Sequence, residues 1–247
     1  MIPAMSPEIE KTLKSLKKNR FDTRFVQTAA EAREMILEMI PQTACVGNGD
    51  SVTMRQIGIL EELVTRGNKV INPFTPESTA GMLDNAAMLR EHVHLERMAF
   101  SSDVFLTSAN AITEDGKIVS IDRAGNRVAG MIFGAPKVIL PVGRNKITKD
   151  VHEAIHRIKN VIAPAHAKQK QRRSPCVVTG KCSECDSPDR LCNITIILEG
   201  KPMFTDLSVI LINEDLGLGW DPTWDEKRIS EIRSNYANQM WLFSTPK

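Results

Sequence analysis

The chain has 247 residues, 42% hydrophobic and 25% charged, with a net charge of +2. These values lie near globular averages and exclude a disordered chain, while the small net charge and a single Tyr exclude a basic, aromatic-studded nucleic-acid surface. No run approaches the ~18 apolar residues of a membrane span, and the basic, polar stretch Met1 to Arg20 lacks the apolar core of an export signal, so a cytoplasmic protein is expected.

Ser6 followed by Pro7 predicts a helix from Pro7 to Asn19, with Ile9, Leu13 and Leu16 on one face. Thr28 and Glu31 form a capping-box pattern for a second helix that Pro41 stops after Ile40. Thr43 to Val46 is a short apolar strand leading into Gly47-Asn48-Gly49-Asp50-Ser51. A helical stretch through Arg66 follows, then a strand at Lys69 to Ile71 and a helical stretch from Glu77 to Phe100 broken near Glu91 to His94. His92 and His94 diverge on such a helix and read as surface histidines.

Strands are expected at Asp103 to Thr107, Lys117 to Ile121, Arg127 to Phe133 and Lys137 to Val142, the last an apolar run typical of a strand buried on both faces. A helix from Thr148 to Asn160 comes next. Residues 161–192 break the rhythm and hold four of the five cysteines. Ile194 to Leu198 and Leu207 to Ile212 resume the strand pattern, and Trp224 to Leu242 closes as an amphipathic helix. The alternation predicts an α/β fold, a Rossmann-like, mostly parallel sheet with helices on both faces. We read residues 1–247 as one domain, with an N-terminal helical segment at 6–40 and a cysteine-rich insertion at 161–192.

Glycines in a strand-to-helix turn let backbone N–H groups approach a ligand, and the helix start favours an anion. Gly47, Asn48, Gly49, Asp50, Ser51 and Thr53 are therefore expected ligand-binding residues. The same pattern also suits a plain turn capped by Asp50 or Ser51. It matches neither the dinucleotide fingerprint nor a Walker loop, so no nucleotide cofactor is predicted.

Ser108, Ala109 and Asn110 fall just past a strand's carboxyl end, where open α/β sheets bind ligands. Asn126 and Arg127 also suit a ligand-facing position, Arg127 as a carboxylate clamp, although a solvated strand start explains it equally well. Glu114 is the nearest candidate base, set against its reading as an exposed Glu-Asp-Gly turn.

Residues 102–147, which include DVFLTSANAITEDGKIVSIDRAGNRVAGMIFGAPKVILPVGRNKI, resemble the core of the lactate-utilisation (LUD) domain family. The similarity reaches back to VGNGDSVT and forward into the cysteine segment, covering most of residues 28–215. The resemblance implies a fold similar to the superfamily of ribose-5-phosphate isomerase, glucosamine-phosphate deaminase and CoA-transferase. It also implies a part in oxidising L-lactate to pyruvate beside iron–sulfur partner subunits, without implying a known catalytic residue. In the related isomerases a Gly-Ala-Asp stands where Ser108-Ala109-Asn110 stands here, and an amide cannot serve as their general base.

Cys176, Cys182, Cys185 and Cys192 have a spacing that can converge on one metal. Zinc is preferred over an iron–sulfur cluster from the residues; the resemblance pulls toward the cluster. Cys45 reads as a buried core thiol. His152-Glu153-Ala154-Ile155-His156 matches H-E-x-x-H, but Val151, Ile155 and Ile158 define the buried face and turn both histidines outward.

The function expected is a subunit or ligand-binding component in lactate oxidation. Two alternatives stay open: a stand-alone isomerase- or transferase-like enzyme on a phosphorylated or CoA-linked molecule, and a metal-clipped scaffold without catalysis. The partners that fit are a small organic-acid or phosphorylated ligand, iron–sulfur subunits and further copies of the chain.

Overall fold

A computed structural model of the protein describes residues 5–240. Its strands are β1 Asp22–Val26, β2 Cys45–Asn48, β3 Lys69–Ile71, β4 Val104–Leu106, β5 Ala111–Thr113, β6 Ile118–Asp122, β7 Lys137–Gly143, β8 Ile147–Thr148, β9 Ile194–Leu198 and β10 Asp206–Ile212. The helices are α1 Pro7–Lys18, α2 Ala29–Met39, α3 Val52–Ile57, α4 Ile59–Thr65, α5 Pro76–Thr79, α6 Ala86–Phe100, α7 Asn126–Phe133, α8 Val151–Arg157, α9 Ala163–Gln169, α10 Cys176–Thr179 and α11 Glu226–Ala237.

Six strands form a parallel sheet in the order β1-β10-β7-β4-β2-β3. The apolar runs of β7 and β10 occupy its middle because both faces there are covered. Val138, Leu140, Val142, Leu207 and Val209 pack to one side, with Phe105 and Met131. Ile139, Ile210 and Ile212 pack to the other, beneath α2 and α4. Each such side chain contributes roughly 1.5–3 kcal/mol on full burial. The fold is the Rossmann-like α/β arrangement expected from the alternation of elements.

A second sheet, β8-β5-β6-β9, stands beyond the carboxyl ends of the first. It is covered by α8, α11 and the π-helical turn Ile158–Ile162 through Ala111, Val119, Ala154, Ile158, Trp220 and Ile232. Pro141 lies within β7, in register with Ile210 of β10, and costs no sheet hydrogen bond on the β4 side. The β4 pairing stops at Leu106 opposite Ile139, and the Pro141 carbonyl accepts the Ser108 hydroxyl at 2.8 Å.

Several local expectations need correcting. Helix α6 runs unbroken through Glu91–His94, and the helical stretch is divided earlier, between Thr79 and Ala86. Asn126–Phe133 is a helix, not a strand; Gly125 starts it at φ 88°, and the Asp122 carboxylate accepts the Val128 N–H at 3.2 Å. Edge strand β1 had no counterpart in the sequence reading. Helix α9 extends the preceding helical run through Gln169, so the irregular cysteine segment begins later than residue 161. Cys45 is half-buried, not core. The closing helix spans Glu226–Ala237; residues 241 and 242 lie outside the described residues. His152 and His156 are exposed on α8, as the wheel predicts.

Candidate functional site

The chain moves outward from β2 to β3, then returns to place β4 on the other side of β2. At that reversal the carboxyl ends of two neighbouring parallel strands part, which is where open α/β sheets form crevices. A cavity of about 590 Å³ opens there and reaches beneath α6, α9 and α11. The volume is within the range of small-molecule and cofactor sites.

The segment after β2 supplies Asp50, Ser51 and Thr53 to the wall. Ser51 caps α3 by accepting the Met54 N–H at 3.5 Å. Asp50 pairs with Arg55. Burial opposes its charge, yet Arg55, Lys170 and His166 together hold its carboxyl below the usual range. Gly47, Asn48 and Gly49 stand apart from the lining. Gly47 lets the backbone at Ala99 approach β2, the Asn48 amide donates to Asn72 Oδ1 at 2.9 Å, and the Gly49 N–H is committed to the Leu106 carbonyl at 2.9 Å. Gly47 and Gly49 are thus built into the sheet and stand outside the cavity wall.

The segment after β4 supplies Ser108, Ala109 and Asn110. Asn110 Oδ1 accepts from Arg127 Nη2 at 2.9 Å and from the Ile121 N–H at 2.9 Å. Arg127 also donates to the carbonyls of Ser108 at 3.1 Å and Ile121 at 2.8 Å. Its planar fork therefore ties the β4 end to β6 and fixes Asn110, a different task from clamping a free carboxylate. Asn126 donates to Glu96 at 2.8 Å, and Glu96 also meets His92 at 3.2 Å. His92 is buried in the cavity wall, which corrects its reading as a surface residue. Glu114 is elsewhere, bridged to Lys11 of α1 at 2.6 Å, and takes no part in the cavity.

Among the lining residues that the sequence reading missed are Lys146, His166, Lys170 and Tyr236. The turn Arg144–Lys146 after β7 sends Lys146 inward, where its Nζ donates to Thr53 Oγ1 at 2.9 Å, Ser108 Oγ at 3.0 Å and the Ala109 carbonyl at 3.0 Å. Burial, reinforced by Arg127, lowers its pKa to about 7. From α9 and its C-terminus come His166, lowered to about 4 chiefly by burial and then by Lys170, and Lys170, lowered to about 8 by burial. His166 Nδ1 meets the hydroxyl of Tyr236 on α11, and burial pushes that phenol upward. Arg123, Arg127, Lys146, Lys170 and Arg172 line the cavity against Asp50, Glu96 and Asp122, so its balance is basic.

Residues 9–212 match the model of the LUD domain. The chain belongs to the LUD domain family. That family is associated with lactate utilisation, and the matched span contains all the cavity residues contributed by the three strand ends. Tyr236, on α11, lies beyond it. The chain is also similar to a crystal structure of a DUF162 family protein from Deinococcus radiodurans, with 15% identity and a TM-score of 0.47, covering 85% of this chain and 99% of that one. No curated protein matches the chain.

The four clustered cysteines of this LUD-domain chain are free and half-buried. Arg190 donates to the carbonyls of Cys185 at 2.9 Å and Cys192 at 3.1 Å, and the Cys182 N–H donates to Asn160 Oδ1 at 3.1 Å. Among the described residues no three His, Cys, Asp or Glu side chains are arranged to hold a metal. No helix among them is long and apolar enough to cross a membrane.

Proposed function

We propose that this LUD-domain chain is the organic-acid-binding component of a system that oxidises L-lactate to pyruvate. The carrying observation is the basic cavity at the β2/β4 reversal, with the Lys146 ammonium or amine at its base. A carboxylate entering this space meets more positive than negative side chains and leaves water for partly desolvated partners, where charge-assisted hydrogen bonds strengthen. Iron–sulfur subunits are the electron-accepting partners this reading calls for.

A second reading is favoured by size. At about 590 Å³ the cavity has room for several times the volume of a three-carbon acid, taking about 30 Å³ per water as the scale. A phosphorylated or CoA-linked small molecule would fill more of it. The four-cysteine segment is, on this reading, a metal clip, zinc before iron–sulfur, supported by the spacing of Cys176, Cys182, Cys185 and Cys192.

Thermal unfolding with L-lactate, pyruvate, sugar phosphates and CoA esters tests both readings. A ligand at ~100 times its Kd adds about 2.7 kcal/mol. Stabilisation by L-lactate or pyruvate supports the first reading, and stabilisation by a phosphate or CoA ester alone supports the second. Silence from every class contradicts both.

A further inference from the structure

Lys146 is 5% exposed, and each hydrogen-bond partner of its Nζ is uncharged: two hydroxyls and one carbonyl. A lysine placed to hold a fold together by charge is paired with a carboxylate, since an unpaired buried ammonium is costly. Here the charge that acts on it is Arg127, of the same sign. Such surroundings favour the neutral amine, which keeps two of the three donated hydrogen bonds and carries a nucleophilic lone pair in the third direction. The amine also borders the open cavity. Gly217 leaves the space beside it clear, because a β-carbon there would lie 2.9 Å from Nζ.

We propose that Lys146 is a covalent carbonyl-binding residue, whose amine forms a Schiff base with a 2-oxo acid in the cavity. This inference rests on reading the cavity as an organic-acid site and adds a bond-forming step to it. The Nζ lone pair adds to the carbonyl carbon as the C=O π pair moves to oxygen, which takes up a proton. The resulting carbinolamine loses that oxygen as water while nitrogen gives up its remaining surplus proton, leaving C=N. Amine and ketone enter, imine and water leave, and no oxidant or reductant is consumed. The hydroxyls of Thr53 and Ser108, at 2.9 and 3.0 Å from Nζ, are within reach to pass these protons. The basic lining selects a 2-oxo acid over a neutral aldehyde.

The test incubates the full chain with pyruvate and a borohydride, then measures intact mass and maps the modified peptide. The expected result is one adduct per chain, heavier by pyruvic acid less one oxygen atom, located on Lys146 and suppressed by excess L-lactate. Lys146→Arg should lose it; mapping on the parent protein locates the adduct even if that variant fails to fold. Acetaldehyde, lacking the carboxylate, should label Lys146 far less. No adduct, or label on surface lysines with Lys146 unmodified, overturns the proposal. If pyruvate stabilises the protein thermally yet leaves Lys146 unmodified, the covalent step falls and the organic-acid site stands. If Lys146 is labelled but L-lactate neither protects it nor stabilises the fold, the covalent amine stands and the lactate reading falls.

Discussion

Gly217 stands directly over the Lys146 amine: any β-carbon at 217 would lie 2.9 Å from Nζ and 2.5 Å from the Thr53 hydroxyl. Its φ of 70° is also one that a side chain resists. The residue therefore serves both backbone and cavity. Gly217→Ala is expected to cost about 1–3 kcal/mol for the left-handed backbone and to push the amine from its three partners. Denaturant unfolding reads the first effect. Loss of ligand-induced thermal stabilisation reads the second.

Asn110 holds the end of β4 to β6 through two donors, Arg127 and the Ile121 N–H. Asn110→Ala strands both, and a buried donor left without a partner costs about 1–3 kcal/mol. Asn110→Asp keeps the acceptor and adds a charge beside Arg127, so it should recover most of that loss. Equal destabilisation of the two variants in chemical denaturation would contradict the positioning role.

Stability should depend on pH through Lys146. Its pKa is about 7 in the fold against the ordinary 10.5, so between these values the unfolded chain holds a proton the native chain has released. Stability then rises with pH across that window, by up to about 1.4 kcal/mol per unit. Below about 7 both states are protonated, and the cost of burying the ammonium is present in full. The unfolding free energy of the parent minus that of Lys146→Met should therefore grow from about pH 7 to 9. Lys170 is lowered too, but it is common to both proteins and cancels. A flat difference would mean the amine stays charged.

The central strands were legible because burial on both faces demands unbroken apolar runs, as in β7 and β10. Edge strand β1 was not: Asp22, Thr23 and Arg24 are polar and only Val26 is fully buried. Arg127 to Phe133 misled because a short stretch with Val128, Ile132 and Phe133 satisfies either period; the deciding features, Gly125 at positive φ and the Asp122 carboxylate on the Val128 N–H, are three-dimensional. Asp50, Ser51, Thr53, Ser108 and Asn110 follow strand ends and could be nominated from the chain alone. Lys146 sits in GRNKITKD, indistinguishable from a solvated lysine until the turn after β7 points it inward. His166 and Tyr236 lie seventy residues apart in sequence, with no local pattern to link them.

The cysteine segment should behave independently of the sheet, whose core clusters contain none of the four thiols' loop except Cys192 at the margin of one. Elemental analysis is expected to find about one zinc per chain by the four-thiolate rule, lost in Cys182→Ser and Cys185→Ser. Chelation should raise hydrogen exchange in residues 176–192 and leave β7 and β10 protected. Protein as prepared that contains neither zinc nor iron would rule out the clip.

The most direct measurement is calorimetric titration of the full chain with pyruvate and L-lactate, repeated on Lys146→Met. A basic cavity centred on that amine predicts saturable binding of one acid per chain in the parent and its loss in the variant, with the variant's melting transition still cooperative. Titrations of the folded variant that superimpose on those of the parent would contradict it, and so would a parent that takes up neither acid.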